Sequence, residues 1–166
     1  MVPAVVEVFV GVGSNVDRDD NLRAGVAALR ETFVEVRVST VWDNPAVGFQ
    51  GDDFLNLVAA FKTDLSAGAV ADRLDAIEDR FGRRRDGGRI VSRTLDLDLL
   101  LYGDAVIDDG RVRVPRPDVS DYAFVLCPLA ELAPERRHPV LGTTFSEMWD
   151  AFESDGNRLT RWPLEL

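Results

Sequence analysis

The segment Leu95-Asp96-Leu97-Asp98-Leu99 constrains this chain more than any other part of it. Side chains alternate across a β-strand, so both carboxylates fall on one face while the leucines enter a core on the other. Aspartate is a poor strand former, and like charges sharing a strand face repel. Such a pair is costly unless a proton or a cation relieves it, and hard oxygen ligands without His or Cys suit magnesium. The bland alternative for this segment alone is the polar outer face of an antiparallel sheet.

The acid pair sits in Thr94 to Leu101, the last of four strands with a consistent order around them. Val5 to Val12 is a β-branched strand running into the turn-rich Gly11-Val12-Gly13-Ser14-Asn15. Leu22, Val26, Leu29 and Phe33 form one apolar stripe at helical period, predicting a helix over 21–32. Val34 to Trp42 alternates like a strand, 43–53 is a long Pro- and Gly-containing loop, and Phe54 to Thr63 is another strand. Ser66 is an N-cap for a second helix carrying Val70, Leu74, Ile77 and Phe81. The order βαββαβ predicts an α+β chain with a ferredoxin-like core, a four-stranded antiparallel sheet with both helices on one face. A short strand over 111–114, the breaker Pro115-Arg116-Pro117, and helices over 122–132 and 144–152 are C-terminal additions. At 166 residues, one domain spanning 1–166 is expected, without repeats or low-complexity tracts.

Nineteen Lys+Arg against 29 Asp+Glu give a net charge of -10, which argues against general attraction to nucleic acid or anionic lipid. Any phosphate must then be bound locally. Lys62 is the only lysine, and Arg83, Arg84, Arg85, Arg89 and Arg93 cluster just before the acid pair. An acid pair for a cation beside a basic loop is the layout a nucleoside triphosphate needs, although a solvated arginine surface balancing an acidic protein is the plainer alternative. The Gly11–Asn15 stretch lacks both GxGxxG and the Walker Lys-Ser/Thr, so it is read as a tight turn supporting the site. His138 has no partner set in sequence and is given no catalytic role, and Trp149, Trp162 and Cys127 are read as packing residues. With one cysteine, no internal disulfide and no CxxC, a reducing cytoplasm is expected. The start lacks a basic n-region and no apolar run reaches the ~18 residues of a membrane span, so the mature protein is expected to be the whole chain.

Arg93-Thr94-Leu95-Asp96-Leu97-Asp98, followed by Leu101-Tyr102-Gly103, resembles the signature of the 6-hydroxymethyl-7,8-dihydropterin pyrophosphokinase family. Gly11-Val12-Gly13-Ser14-Asn15, Phe54-Leu55-Asn56, Ile77-Glu78 with Gly82-Arg83, and Phe124-Val125-Leu126-Cys127-Pro128-Leu129 fall in that family's order. The resemblance implies a ferredoxin-like fold and transfer of pyrophosphate from ATP to the pterin hydroxymethyl group, releasing AMP, in folate biosynthesis. It implies that Asp96 and Asp98 hold two magnesium ions and that Arg83 and Arg93 act on the phosphates. Glu78, Arg85, Arg111, Arg116 and Tyr122 are assigned to the nucleotide side. Phe54 and Phe124 would sandwich the pterin, Asn56 would bond its edge, and Asn44 and Val47 would border the pocket. The loops 44–53 and 82–92 would close over the substrates. The expected partners are ATP and a pterin, with no nucleic acid or membrane, and a monomer is expected.

Three places depart from the family pattern. Ile90-Val91-Ser92 stands where Trp-Gly-Pro is common, Arg116 where a His is usual, and Tyr122 where an Arg is usual. Arg116 is expected to restore the charge missing at Tyr122. Alternatives are a divergent paralogue using another pterin or donor, a non-catalytic ferredoxin-like ligand-binding module, and a palm-like nucleotidyl transferase. Asp96, Asp98, Arg83 and Arg93 weigh against the module, and the Phe54, Asn56 and Phe124 set gives the transferase no support.

Overall fold

A computed structural model describes residues 4–44, 54–82, 95–152 and 159–166, and the backbone alone at 85–86 and 89–90. The chain runs β1 (Val6–Ser14), α1 (Arg18–Thr32), β2 (Arg37–Val38), β3 (Val41–Asn44), β4 (Phe54–Thr63) and α2 (Ala67–Arg80). It continues through β5 (Arg85–Asp86), β6 (Arg89–Ile90), β7 (Asp96–Tyr102), β8 (Ile107–Asp108) and β9 (Arg113–Val114). The last elements are α3 (Asp118–Asp121), α4 (Ala123–Leu132), α5 (Phe145–Ala151) and β10 (Thr160–Trp162).

The main sheet has the order β10-β3-β4-β1-β7, with β2 also paired to β4. Every neighbouring pair is antiparallel. Without β10 this is the strand order of a ferredoxin-like core. On the first face, Leu22, Val26, Leu29 and Phe33 of α1 and its end join Val70, Leu74 and Ile77 of α2 over Val8, Val10, Val12, Leu55 and Leu57. The Ser66 hydroxyl accepts the Ala69 N–H at 3.2 Å and starts α2 as an N-cap. Helix α1 begins at Arg18, before its apolar stripe, because its first turn carries Asp19 and Asp20, acids that favour a helix N-terminus but leave no apolar signal.

The second face, opposite the two core helices, is covered as well. Phe9, Val58, Ala60, Leu100 and Leu101 pack there against Val119, Val125, Leu126, Leu129 and Phe145. The C-terminal additions are therefore a second helical layer over the sheet. A register shift opposite Phe9 and Val10 turns both Leu100 and Leu101 to this face. Helix α4 is buried along Ala123, Val125, Leu126, Cys127, Pro128, Leu129 and Ala130, so it shows no polar face from which its packing could be read.

Three local expectations are also corrected. Gly11, Gly13 and Ser14 continue β1 rather than ending it in a turn. The strand expected over 34–42 is two, β2 and β3, and the second reaches Asn44, which had been placed in the loop. Ser39 makes the break: its N–H donates to the Val58 carbonyl at 2.9 Å, while its hydroxyl accepts the Val58 N–H at 2.9 Å in place of a backbone oxygen. Strand β10 is an addition too short to show a period. It is held by Trp162, whose indole N–H donates to Asp19 at 2.9 Å and whose ring lies 4.7 Å from the Arg18 guanidinium. Among the described residues, no helix is long and apolar enough to cross a membrane.

His138 is buried. Its Nδ1 accepts the N–H groups of Val140 and Leu141, both at 3.1 Å. Burial lowers its pKa from the usual 6.5, so the fold favours the neutral ring. The unfolded chain then takes up this proton first as pH falls. The stability it contributes is whole above about pH 6.5 and is lost as pH falls toward the folded pKa. His138 is the only histidine. Melting temperatures are therefore expected to fall more between pH 7.5 and 5.5 in the parent than in His138→Gln; equal slopes would refute this account.

Candidate active site

Along β1, Val10 and Val12 enter the first core, so Gly11 and Gly13 lie on the second face. Gly13 stands between Asn56 of β4 and Asp96 of β7, and Gly11 stands between Val58 and Asp98. The two carboxylates thus flank two positions without side chains. The result is a cavity of about 220 Å³ over a glycine floor, walled by Asn44, Phe54, Asn56, Asp96, Asp98 and Phe124. A Cβ on Gly13 would stand 2.8 Å from Asn56 Oδ1. Asn56 is 8% exposed, and its Nδ2 has no hydrogen-bond partner among the described residues. An unpaired buried donor costs about 1–3 kcal/mol, so this amide is a candidate to meet an acceptor carried by a ligand.

A second, polar cavity of about 280 Å³ lies between α2, β7 and the β8–β9 hairpin, lined by Glu78, Asp98, Arg111, Arg113 and Arg116. Asp98 belongs to both cavities. Glu78 is buried, and its carboxylate accepts the Leu97 N–H at 2.9 Å, fixing the edge strand that carries both aspartates. Arg111 pairs with Asp72 and Asp75 and ties the hairpin to α2. Arg116 places Nη2 3.7 Å from Asp98 Oδ1 and Nε 3.2 Å from Asp118 Oδ2. Burial works against its charge, but Asp98 and then Asp118 outweigh burial and raise its pKa.

The fold brings Asn44, Phe54, Asn56, Phe124, Asp96 and Asp98 together in one cavity, and Glu78, Arg111 and Arg116 in the other. Tyr122, assigned from sequence to the nucleotide side, lines neither. Its half-exposed ring stacks on Phe124, with centroids 5.0 Å apart and 23° between planes. Arg83, Arg93 and Val47 lie outside the described residues, as do most of the two loops expected to cover the site, and Arg85 is described only by its backbone in β5. Sequence reasoning missed Asp118, a wall of the first cavity, and the floor role of Gly11 and Gly13. It also missed Trp42, in register with Asn56, whose indole N–H is buried without a partner among the described residues. Glycines inside a β-branched run were the one available signal, since they mark a close approach of ligand or backbone.

The donor set fits magnesium. Asp96 and Asp98 offer hard oxygens, and among the described residues no three His, Cys, Asp or Glu side chains are grouped so as to hold a metal ion by themselves. Magnesium commonly takes one or two carboxylates and fills its shell with phosphate oxygens and water, whereas a structural zinc site needs four protein ligands.

A sequence profile of the 7,8-dihydro-6-hydroxymethylpterin-pyrophosphokinase (HPPK) family matches residues 9–134. The chain belongs to this family. It is 40% identical over 140 residues to the 2-amino-4-hydroxy-6-hydroxymethyldihydropteridine pyrophosphokinase of Pseudomonas aeruginosa, covering 81% of this chain and 85% of the relative. It is 37% identical over 142 residues to the enzyme of the same name from Synechocystis sp., covering 84% and 72%. A wild-type Plasmodium falciparum HPPK-DHPS structure superposes with a TM-score of 0.68 at 11% identity, covering 90% of this chain and 42% of that one. The shared fold is the HPPK fold, and this chain spans less than half of that longer protein.

Two pairs of substitutions test how the candidate site is held. Gly13→Ala is expected to push the Asn56 amide aside and cost about 1–3 kcal/mol in urea unfolding. Gly11→Ala, whose Cβ would rest 3.6 Å from Leu100, should cost much less. Glu78→Ala is expected to cost about 1.5–3 kcal/mol by stranding the Leu97 N–H, and Glu78→Gln less, because it keeps an acceptor. Equal losses for the last pair would remove the strand-holding role.

Proposed function

We propose that this chain transfers the pyrophosphoryl group of ATP to the hydroxymethyl group of 6-hydroxymethyl-7,8-dihydropterin, releasing AMP, as a step of folate biosynthesis. The observation that carries this reading is the shared wall at Asp98. On one side lies a cavity with two phenylalanines and an unpaired amide, suited to a flat heterocycle with a polar edge. On the other lies a polar, arginine-lined cavity suited to phosphates.

In this reading Phe54 and Phe124 hold the pterin ring and Asn56 bonds its edge, with Asn44 and Val47 at the rim. This aims the hydroxymethyl group toward Asp96 and Asp98. Arg116, with Arg83, Arg85 and Arg93, holds the triphosphate from the other side. The hydroxyl oxygen attacks the β-phosphorus, the bond from that phosphorus to the α–β bridging oxygen breaks, AMP leaves, and the hydroxyl proton passes to solvent. Bound at Asp96 and Asp98, magnesium, two ions in our reading, would polarise the phosphates and lower the pKa of the attacking hydroxyl. Holding both reactants on either side of one carboxylate supplies the positioning on which phosphoryl transfer depends. Tyr122 supports Phe124 from outside and takes no part at the phosphates.

We further read the chain as a one-domain monomer of the cytoplasm. Its exposed large apolar side chains are dispersed along the chain, and its single Cys127 is buried with its thiol pushed up to about 11 by burial and by Glu131.

The test is an assay of the purified protein with ATP, magnesium and the pterin, scoring AMP and pyrophosphorylated pterin. Asp96→Ala is expected to lower the rate by about a hundredfold or more, and AMP formation should require the pterin. No AMP, or AMP that survives loss of Asp96, would overturn the reading. Tyr122→Ala should raise the KM for pterin and leave that for ATP unchanged, with Tyr122→Phe near the parent. A change confined to ATP would return Tyr122 to the nucleotide side.

A further inference from the structure

Asp98 faces a positive charge that the fold itself supplies. Arg116 follows β9, and its backbone is fixed at both ends: its N–H donates to the Leu100 carbonyl at 2.9 Å and its carbonyl accepts the Val119 N–H at 3.0 Å. Leu100 lies two residues beyond Asp98 on β7, so this tether delivers the Arg116 side chain to the acid pair. Its Nε stands nearer to Asp118, at 3.2 Å, than its Nη2 does to Asp98, at 3.7 Å. Asp118 is the less exposed of the two carboxylates. The guanidinium is thus ion-paired to both carboxylates, more closely to Asp118, while its buried Nε has no hydrogen-bond partner among the described residues.

We infer that Arg116 is a built-in counter-ion of the acid pair, which holds back divalent cations until a triphosphate is present and so makes metal binding depend on nucleotide. A divalent cation on Asp98 must sit close to the Arg116 charge, and the two repel. A phosphate chain entering the Glu78 cavity meets both charges at once: Arg116 turns from Asp98 to phosphate oxygens, and Asp98 is released to the cation. Asp118 keeps the guanidinium from simply swinging out to solvent when a cation arrives alone. This goes further than placing Arg116 on phosphates, because it assigns that residue an effect when no nucleotide is bound. It rests on the reading of the Glu78 cavity as the nucleotide side. Arg116 is here a positioning residue, acting through Asp98.

The test measures binding of Mn2+, a paramagnetic probe for the magnesium site, with and without α,β-methylene ATP. The parent is compared with Arg116→Ala and Arg116→Lys. Arg116→Ala is expected to bind Mn2+ alone about tenfold more tightly than the parent, from loss of the neighbouring charge, and to gain less from the analogue. Arg116→Lys, which keeps the charge, should stay near the parent. Arg116→Gln gives the same reading if the alanine chain does not fold, as judged by circular dichroism. Mn2+ affinity that is unchanged or weaker in a folded Arg116→Ala or Arg116→Gln chain overturns the inference. A parent whose Mn2+ affinity does not rise with the analogue overturns the pyrophosphokinase reading as well, so the two failures are distinct.

Discussion

A central strand covered by helices on both sides ordinarily fills both faces with side chains. In β1 the first face does so with Val8, Val10 and Val12, while the second carries Phe9 and then only the hydrogens of Gly11 and Gly13. The second helical layer packs on the half that has Phe9, Leu100 and Leu101, and over the glycines there is nothing for it to pack against. The site is the part of the second face where the core runs out of side chains. Antiparallel register then brings Asn56 and Asp96 to either side of Gly13, and Asp98 beside Gly11, without any long loop having to carry them. Groups on paired strands are held by the ladder, which suits chemistry that depends on positioning.

Electrostatics are arranged around the same edge. An acid pair in a strand is expensive, and the fold surrounds this one with fixed partners: the Leu97 N–H between the aspartates goes to buried Glu78, and Arg116 is ion-paired to Asp98 and, more closely, to Asp118. Arg111, bound to Asp72 and Asp75, holds the hairpin that leads to Arg116. In a chain of net charge -10, arginines placed this way give local attraction for phosphate that the whole molecule does not have.

Much of the core was legible because its signals are local. The stripe Leu22, Val26, Leu29, Phe33 and the Ser66 cap lie within single helices, and all are found as read. The site was legible in part: Asp96, Asp98, Phe54, Asn56, Phe124, Asn44, Glu78, Arg111 and Arg116 meet in two adjoining cavities. Other features leave no local signal. Tyr122, assigned from sequence to the nucleotide side, lines neither cavity, and the turn into α4 lays it on Phe124. The break at Ser39 depends on Val58, and β10 exists only because β3 has a free edge to receive it.

The amino-acid sequence by itself determined the order of elements, the two apolar helix stripes, and the placement of two carboxylates on one face of a strand, because helical and strand periods are set by the backbone alone. Only the tertiary structure decided that this face would be half covered, that two glycines would become a floor, and that Asp98 would be shared between an apolar and a polar cavity. Those outcomes depend on register and on which layer packs where, and both are settled by contacts between elements distant in sequence, which no local pattern records.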